Sequence, residues 1–387
     1  MPTTSGRLAA DGGQPVSTGF IPIIQVALDE DEIAEMVTIL RSGKLREGPV
    51  CRKFEDRFAT CVGARYAVSV SSGTAALHIA YAALLEPGDE VLVPSFTFIA
   101  TASMVAMVGA RPVFCDVDPY TCTFDVQDAQ QRITARTRAI APVHLFGNPC
   151  DMDAITTLAN EHGLKIIWDA AQSHGARYGG RDVGSFDDVV CYSFYPSKNM
   201  TTAEGGMITT NDEALYQKIK LLRSHGQASK YYHPMLGFNY RLTDIMAVLG
   251  LKQLEKLDNW VQRRRANAHY LTERLADIPR IQTPVEQPRG ESSFNLYSIQ
   301  LDLEQFRCDR DEFVRLLNAE NIGATVNYPR SLHQQPAFSE IAGDVHLPVS
   351  EDLSQRILSI PVHPRLSQDE LDLVVEAVYK IVHAIIK

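Results

Sequence analysis

The chain reads as an α/β protein: a large α/β/α domain on a mainly parallel sheet, followed by a smaller C-terminal α+β domain. Two observations predict this. Short apolar runs alternate with helix-length segments between Tyr66 and Trp168, the pattern of a parallel sheet with helices on both faces. From Leu242 the pattern becomes one long helical repeat, after which new strand and helix signals begin. A length of 387 residues suits one large and one smaller domain. The reading divides the chain into a flexible tail over 1–20, a large domain over 21–250 and a small domain over 251–387.

Residues 66–70, 90–94, 113–115, 139–143 and 165–168 read as buried strands, being short and almost wholly apolar. Residues 74–85, 97–108, 126–133 and 152–162 read as the helices between them. Two more strands, 189–194 and 206–210, flank a turn at Lys198. Leu242, Ile245, Met246, Leu249, Leu254, Leu257 and Val261 recur at helical spacing and predict a long helix leading out of the large domain. Pro and Gly break the chain over 283–290. Beyond that break, 295–301 and 323–328 are expected strands, and 309–320 and 368–386 expected helices.

Composition narrows the function. Apolar residues make up 45% and charged residues 22%, so a sizeable core is possible. A net charge of -10 argues against nucleic acid or an anionic membrane as partner, though local arginines and lysines can still attract a small anionic substrate. The seven cysteines are scattered and form no Cys-x-x-Cys pair, so neither a metal site nor a redox motif is indicated. Their odd number fits free thiols in a reducing cytoplasm. The first twenty residues are polar, with no apolar core for a signal peptide, and read as a loose tail. The longest apolar stretches, 75–85 and 98–110, are too short to span a bilayer.

Three segments carry chemistry. Ser71-Ser72-Gly73-Thr74-Ala75 follows a strand and opens a helix, where free N–H groups and the helix dipole suit a phosphate. Alone, it is more often an ordinary helix cap. Asp169 ends another strand, at the edge where ligands of parallel sheets bind; alone, it too is more often a cap. Lys198 sits in a tight turn, Ser193-Phe194-Tyr195-Pro196-Ser197-Lys198-Asn199, followed by the flexible Glu204-Gly205-Gly206. A single lysine is usually a solvated surface charge. A phosphate site, a strand-end carboxylate and a turn-borne lysine in this order point instead to pyridoxal phosphate (PLP), which needs all three.

The segments SSGTAAL, PSFTFIATA, DAAQSHGA, SFYPSKNMTTAEGG and GFNYRLTDI, in that order, resemble the DegT/DnrJ/EryC1/StrS family of sugar aminotransferases over residues 21–387. These are fold-type-I PLP enzymes of the aspartate aminotransferase superfamily. The resemblance implies that Lys198 bonds the cofactor, Asp169 pairs with its pyridine nitrogen and Gln172 meets its phenolic oxygen. Gly73, Thr74 and Ser193 would hold the phosphate, and Phe98 would stack on the ring. Asn239 would reach the phosphate of a partner subunit, so the active unit would be a homodimer with shared sites. His333, in SLHQQPAF, and Arg46, where the family often has Thr or Ser, would lie near the substrate. Ala203 stands where the family usually has Gly.

The implied reaction moves an amino group from a donor, L-glutamate by analogy, to a nucleotide-linked keto-sugar. KNMTTAEGG is closer to relatives acting at C-4 of a 4-keto-6-deoxy sugar, whereas DAAQSHGA is shared with some C-3 enzymes. A PLP-dependent sugar dehydratase is the alternative within the family, but those relatives carry His in place of the lysine. A non-catalytic PLP-binding regulator is disfavoured by Lys198, Asp169 and Gln172 together. Arg263-Arg264-Arg265 reads as a solvated helix face and Trp168 as core, while His174 and His225 could stabilise loops or touch ligand.

Overall fold

The apolar runs pair into one seven-stranded sheet. In the computed structural model, which describes residues 7–26, 28–278 and 280–387, its strands are β1 (Tyr66–Val70), β2 (Glu90–Pro94), β3 (Arg111–Cys115), β4 (Thr137–Ile140), β5 (Lys165–Asp169), β6 (Val189–Ser193) and β7 (Gly206–Thr210). Their order is β1-β7-β6-β5-β4-β2-β3, with β7 antiparallel to both neighbours and the other pairs parallel. β4 stops short of the expected end. Pro142 has no N–H for a ladder and instead accepts from the Asp169 N–H at 2.9 Å.

Side-chain alternation along each strand fills two layers. Val91 and Val93 of β2 join a core with Ile79 and Val105, from the helices Gly73–Leu84 and Ala100–Met107. Leu92 between them joins the opposite core with Phe58 and Leu158, from the helices Pro49–Val62 and Met152–His162. Both faces are therefore covered, as expected for an α/β/α domain.

Thr243 caps the helix Asp244–Leu275, its side chain accepting from the Met246 N–H. The first part of this helix packs in the large core through Ala247, Leu257 and Val261. Its last part packs in the small core through Ala268, Leu271 and Leu275. The change of core falls between Val261 and Ala268, inside one continuous helix rather than at residue 250. The same geometry corrects the reading of Arg263-Arg264-Arg265 as a solvated face. Successive residues turn by about 100° around a helix, so three in a row cannot share one face. Arg264 falls on the buried stripe with Val261 and Ala268, and donates to the Phe294 and Asn295 carbonyls at 3.1 and 3.2 Å.

The small domain carries an antiparallel sheet of Ile281–Gln282, Tyr297–Leu301 and Ile357–Ile360. Residues 323–328 do not form the expected strand. Their backbone partners are split, Gly323 donating to the Ile21 carbonyl and Thr325 pairing with Ser359, so no ladder develops. The tail expectation is also corrected for the described residues from Arg7 onward; residues 1–6 of that call lie outside them. Leu8 is buried in the small core. The buried Glu320 carboxylate accepts from the Ala9 and Val16 N–H groups, both at 2.9 Å, and pairs with Lys380 at 2.8 Å. Two helices, Glu30–Ser42 and Pro49–Val62, were not anticipated. Lys256 of the long helix ties the start of the first to Asp29, Asp31 and Glu32. No helix among the described residues is long and apolar enough to cross a membrane.

Glu320 gives the first test. Glu320→Ala leaves the Lys380 ammonium buried without its carboxylate. We expect a loss of about 3–5 kcal/mol in urea unfolding, with early proteolysis near the N-terminus. A loss below about 1 kcal/mol would show that the ion pair does not anchor the segment.

Candidate active site

Three parallel strands deliver chemistry to one sheet edge. β1 ends just before Ser71 and Ser72, β5 ends on Asp169, and β6 ends on Ser193. Their carboxyl ends open onto a cleft of about 640 Å³, closed on the far side by Asn295, Thr325, Asn327 and Tyr328 of the small domain. Ile23 and Ile24, from the N-terminal segment, complete its wall.

Asp169 is buried at the floor. Its Oδ2 accepts from the Thr101 hydroxyl at 2.8 Å and its Oδ1 from the Ala171 N–H at 3.1 Å. Burial pushes its pKa up, while these two donors and the Lys198 charge pull it back. Lys198 lines the same cleft. Its turn closes through its own N–H on the Tyr195 carbonyl at 2.9 Å. Burial lowers the Lys198 amine to about 8, against the upward pull of the Asp169 charge. The cleft thus holds a buried carboxylate backed by two donors and an amine whose pKa burial lowers.

Gly73 and Thr74 open the helix above this floor, capped by Ser72, whose hydroxyl accepts from the Ala75 N–H at 3.1 Å. A Cβ on Gly73 would stand 2.6 Å from the Ser193 Cβ, so only glycine lets the helix end and Ser193 meet. The N–H groups of Gly73 and Thr74 at the helix start and two hydroxyls then form a cradle suited to a phosphate. Gln172 is fixed from both ends of its amide: Oε1 accepts from the Phe146 N–H at 2.7 Å, and Nε2 donates to the Tyr328 hydroxyl at 3.1 Å. Phe98 stands in the wall, 53% exposed, with its ring 6.2 Å from that of Tyr328. This donor set fits PLP: a phosphate cradle, a buried carboxylate, a lysine of lowered pKa and an exposed aromatic face.

The other expected residues lie elsewhere. Asn239 is exposed and bridges Ser224 through its backbone, outside the cleft lining of its own chain. Arg46 is exposed too, and its carbonyl accepts from the Asp244 N–H at 3.4 Å. His333 does not line the cleft but sits buried behind its wall. The Glu351 carboxylate can only accept, so Nε2 donates to it at 3.1 Å; in the neutral ring that burial favours, Nδ1 then accepts from the Ser95 hydroxyl at 2.6 Å, and the His333 N–H donates to the same hydroxyl oxygen at 3.2 Å. Ser95 leads directly into Thr97 and Phe98, so the ring braces that part of the wall. His174 is packed between the Tyr192 and Phe194 rings, where burial lowers its pKa to about 3. His225 is exposed and away from the cleft. Trp168 is core, stacked on His144.

Thr101, Tyr328 and Asn295 were missed. Thr101 lies within PSFTFIATA, yet one polar residue on a helix gives no sign of what it faces. Ala203 holds a left-handed φ of 68°, a conformation favouring the glycine expected there.

The DegT/DnrJ/EryC1/StrS aminotransferase family model matches residues 26–379. A UDP-N-acetyl-3-dehydro-α-D-glucosamine 3-aminotransferase of Acidithiobacillus ferrooxidans is 41% identical, covering 86% of this chain and 88% of that one. DesV of S. venezuelae superposes with a TM-score of 0.90 at 37% identity, covering 94% of this chain and 99% of that one. The sugar aminotransferase CalS13 of Micromonospora echinospora does so with a TM-score of 0.87 at 30% identity, over 93% and 99%.

Thr101 offers a test with a defined sign. Thr101→Val removes a donor that lowers the Asp169 pKa, so the carboxylate takes its proton at higher pH. A hydrogen bond to a charged group is worth about 1.5–3 kcal/mol, so we expect the acid limb of kcat/KM to rise by about one to two pH units. An unmoved limb with full cofactor loading would remove Thr101 from this role.

Proposed function

The chain belongs to the DegT/DnrJ/EryC1/StrS aminotransferase family, and on that premise we propose that it transfers an amino group from L-glutamate to the keto carbon of a nucleotide-linked sugar. The observation that carries the reading is the pairing of Lys198 and Asp169 in one cleft beside the cradle of Gly73, Thr74 and Ser193. PLP, when bound, supplies an electron sink that lets a proton leave the carbon bearing the amino group.

The residues do the rest. Asp169 would hold a proton on the ring nitrogen by keeping its own charge, which the Thr101 and Ala171 donors favour against burial. Near neutral pH a useful fraction of Lys198 is unprotonated at Nζ, because its pKa is lowered to about 8. That Nζ takes the proton from the donor carbon, and in the second half-reaction delivers one to the sugar carbon. Gln172, anchored by Phe146 and Tyr328, would offer its amide to the cofactor's phenolic oxygen. Phe98, exposed in the cleft wall, would cover the ring and limit water.

Two positions of amination have specific support. The segment KNMTTAEGG favours C-4 of a 4-keto-6-deoxy sugar. The relative from Acidithiobacillus ferrooxidans, named for a 3-amino transfer, favours C-3. Assaying a panel of 3-keto and 4-keto nucleotide sugars with L-glutamate decides between them. No turnover on any member would count against the function. Lys198→Ala should abolish turnover, and borohydride reduction of the wild-type enzyme should fix the cofactor to Lys198. A reduced adduct on another lysine would overturn that assignment.

The active unit in this reading is a homodimer in which Asn239 of each chain completes the neighbour's phosphate site. Its exposure, outside the cleft of its own chain, supports this. Lys198→Ala and Asn239→Asp chains, each inactive alone, should regain part of the activity when mixed, because one site per mixed dimer carries neither lesion. Proven subunit exchange without recovery would exclude shared sites.

A further inference from the structure

The turn that carries Lys198 is stitched to a segment of the small domain by side-chain amides. Asn295 Nδ2 donates to the Ser197 carbonyl at 3.0 Å and to Asn199 Oδ1 at 3.2 Å. Asn199 Nδ2 in turn donates to the Ser293 carbonyl at 3.0 Å and the His174 carbonyl at 3.4 Å. Both asparagines are 4% exposed, so these bonds form out of water's reach. The residues before and after Lys198 are thereby both held.

The segment is itself fixed from behind. Arg264 donates to the carbonyls of Phe294 and Asn295. Among the described residues no carboxylate pairs with Arg264, and burial lowers its pKa to about 10. A buried guanidinium spent on two main-chain carbonyls is costly unless their placement matters. Phe294 also takes a left-handed φ of 43°, so this stretch is not relaxed extended chain.

We propose that Asn295 and Asn199 are positioning residues that pin the Lys198 backbone, so that its side chain can only reach into the cleft. The proposal rests on the reading of Lys198 as the reactive amine. An amine so confined stays partly desolvated. Releasing the turn lets it swing toward water, and its pKa then rises toward that of an ordinary lysine. A role confined to stability would lower the melting temperature without moving this titration.

The test is competitive acylation of the full-length chain freed of bound cofactor, followed across pH, with Lys198 modification read by mass spectrometry. Wild type should titrate well below ordinary lysine. Asn295→Ala and Asn199→Ala should titrate about one unit higher, giving labelling about fivefold slower near pH 8. Ser293→Ala, which alters the same segment at a buried hydroxyl with no partner among the described residues, should titrate as wild type does. Should Asn295→Ala fail to fold, Asn199→Ala carries the same test. If both asparagine variants fold and titrate like wild type, the pinning role is wrong while the reactive lysine stands. A wild-type Lys198 that titrates like an ordinary lysine would instead overturn the reading of Lys198 itself, and the pinning role with it.

Discussion

A carboxylate and an amine withdrawn from water into one cleft set the terms for everything around them. Asp169 and Lys198 leave their sheet edge on different strands, and each needs outside help to keep a useful charge state. Desolvation alone would protonate the first and deprotonate the second. Their mutual attraction opposes both trends, and Thr101 and the Ala171 N–H tip Asp169 toward ionisation. Among the described residues the lysine has no comparable hydrogen-bond partner, which suits a group that must exchange its proton. The asymmetry between a held anion and a loosely protonated cation comes from the neighbours Thr101 and Ala171 rather than from the two residues themselves.

That balance requires the cleft walls to stay put, and the wall contacts link both domains. Gln172, on the large domain, is bonded to Tyr328 on the small one. His333 braces Ser95 across the same boundary. The long helix Asp244–Leu275 belongs to both cores, and Arg264 at its crossover holds the segment that lines the cleft with Asn295. Neither domain alone presents a complete site.

The fold was legible where burial on both sides of a strand writes a continuous apolar run, as at residues 66–70 and 90–94. The long helix was legible from its spacing. The element ends were less so, because Pro142 and the split pairing of Gly323 and Thr325 depend on partners distant in sequence. Glu30–Ser42 was hidden by its charge, although Asp29 and Glu32 form a capping box that a search for helix starts could have found. In the candidate site, Gly73, Asp169, Gln172, Ser193 and Lys198 could be named because their motifs are contiguous, and the fold lines one cleft with them. Thr101, Asn295 and Tyr328 act through tertiary contacts, and no spacing announces such contacts. The arginine run misled because charge suggested solvent, while helical rotation sent Arg264 inward.

The ordered N-terminal segment bears on how the chain is made. The Gln14 carbonyl accepts from the Lys380 ammonium, a bond that spans 366 positions. On a ribosome adding roughly 5–20 residues per second, the first partner waits on the order of tens of seconds for the second. The sheet of the large domain is complete by Thr210, so it can assemble during that interval. Closure of the small domain around Leu8, Glu320 and Lys380 can only come last. Ile23 and Ile24, the cleft residues that follow the clasped segment, therefore reach their places only after synthesis is nearly done, and the cleft wall is among the last parts of the molecule to close.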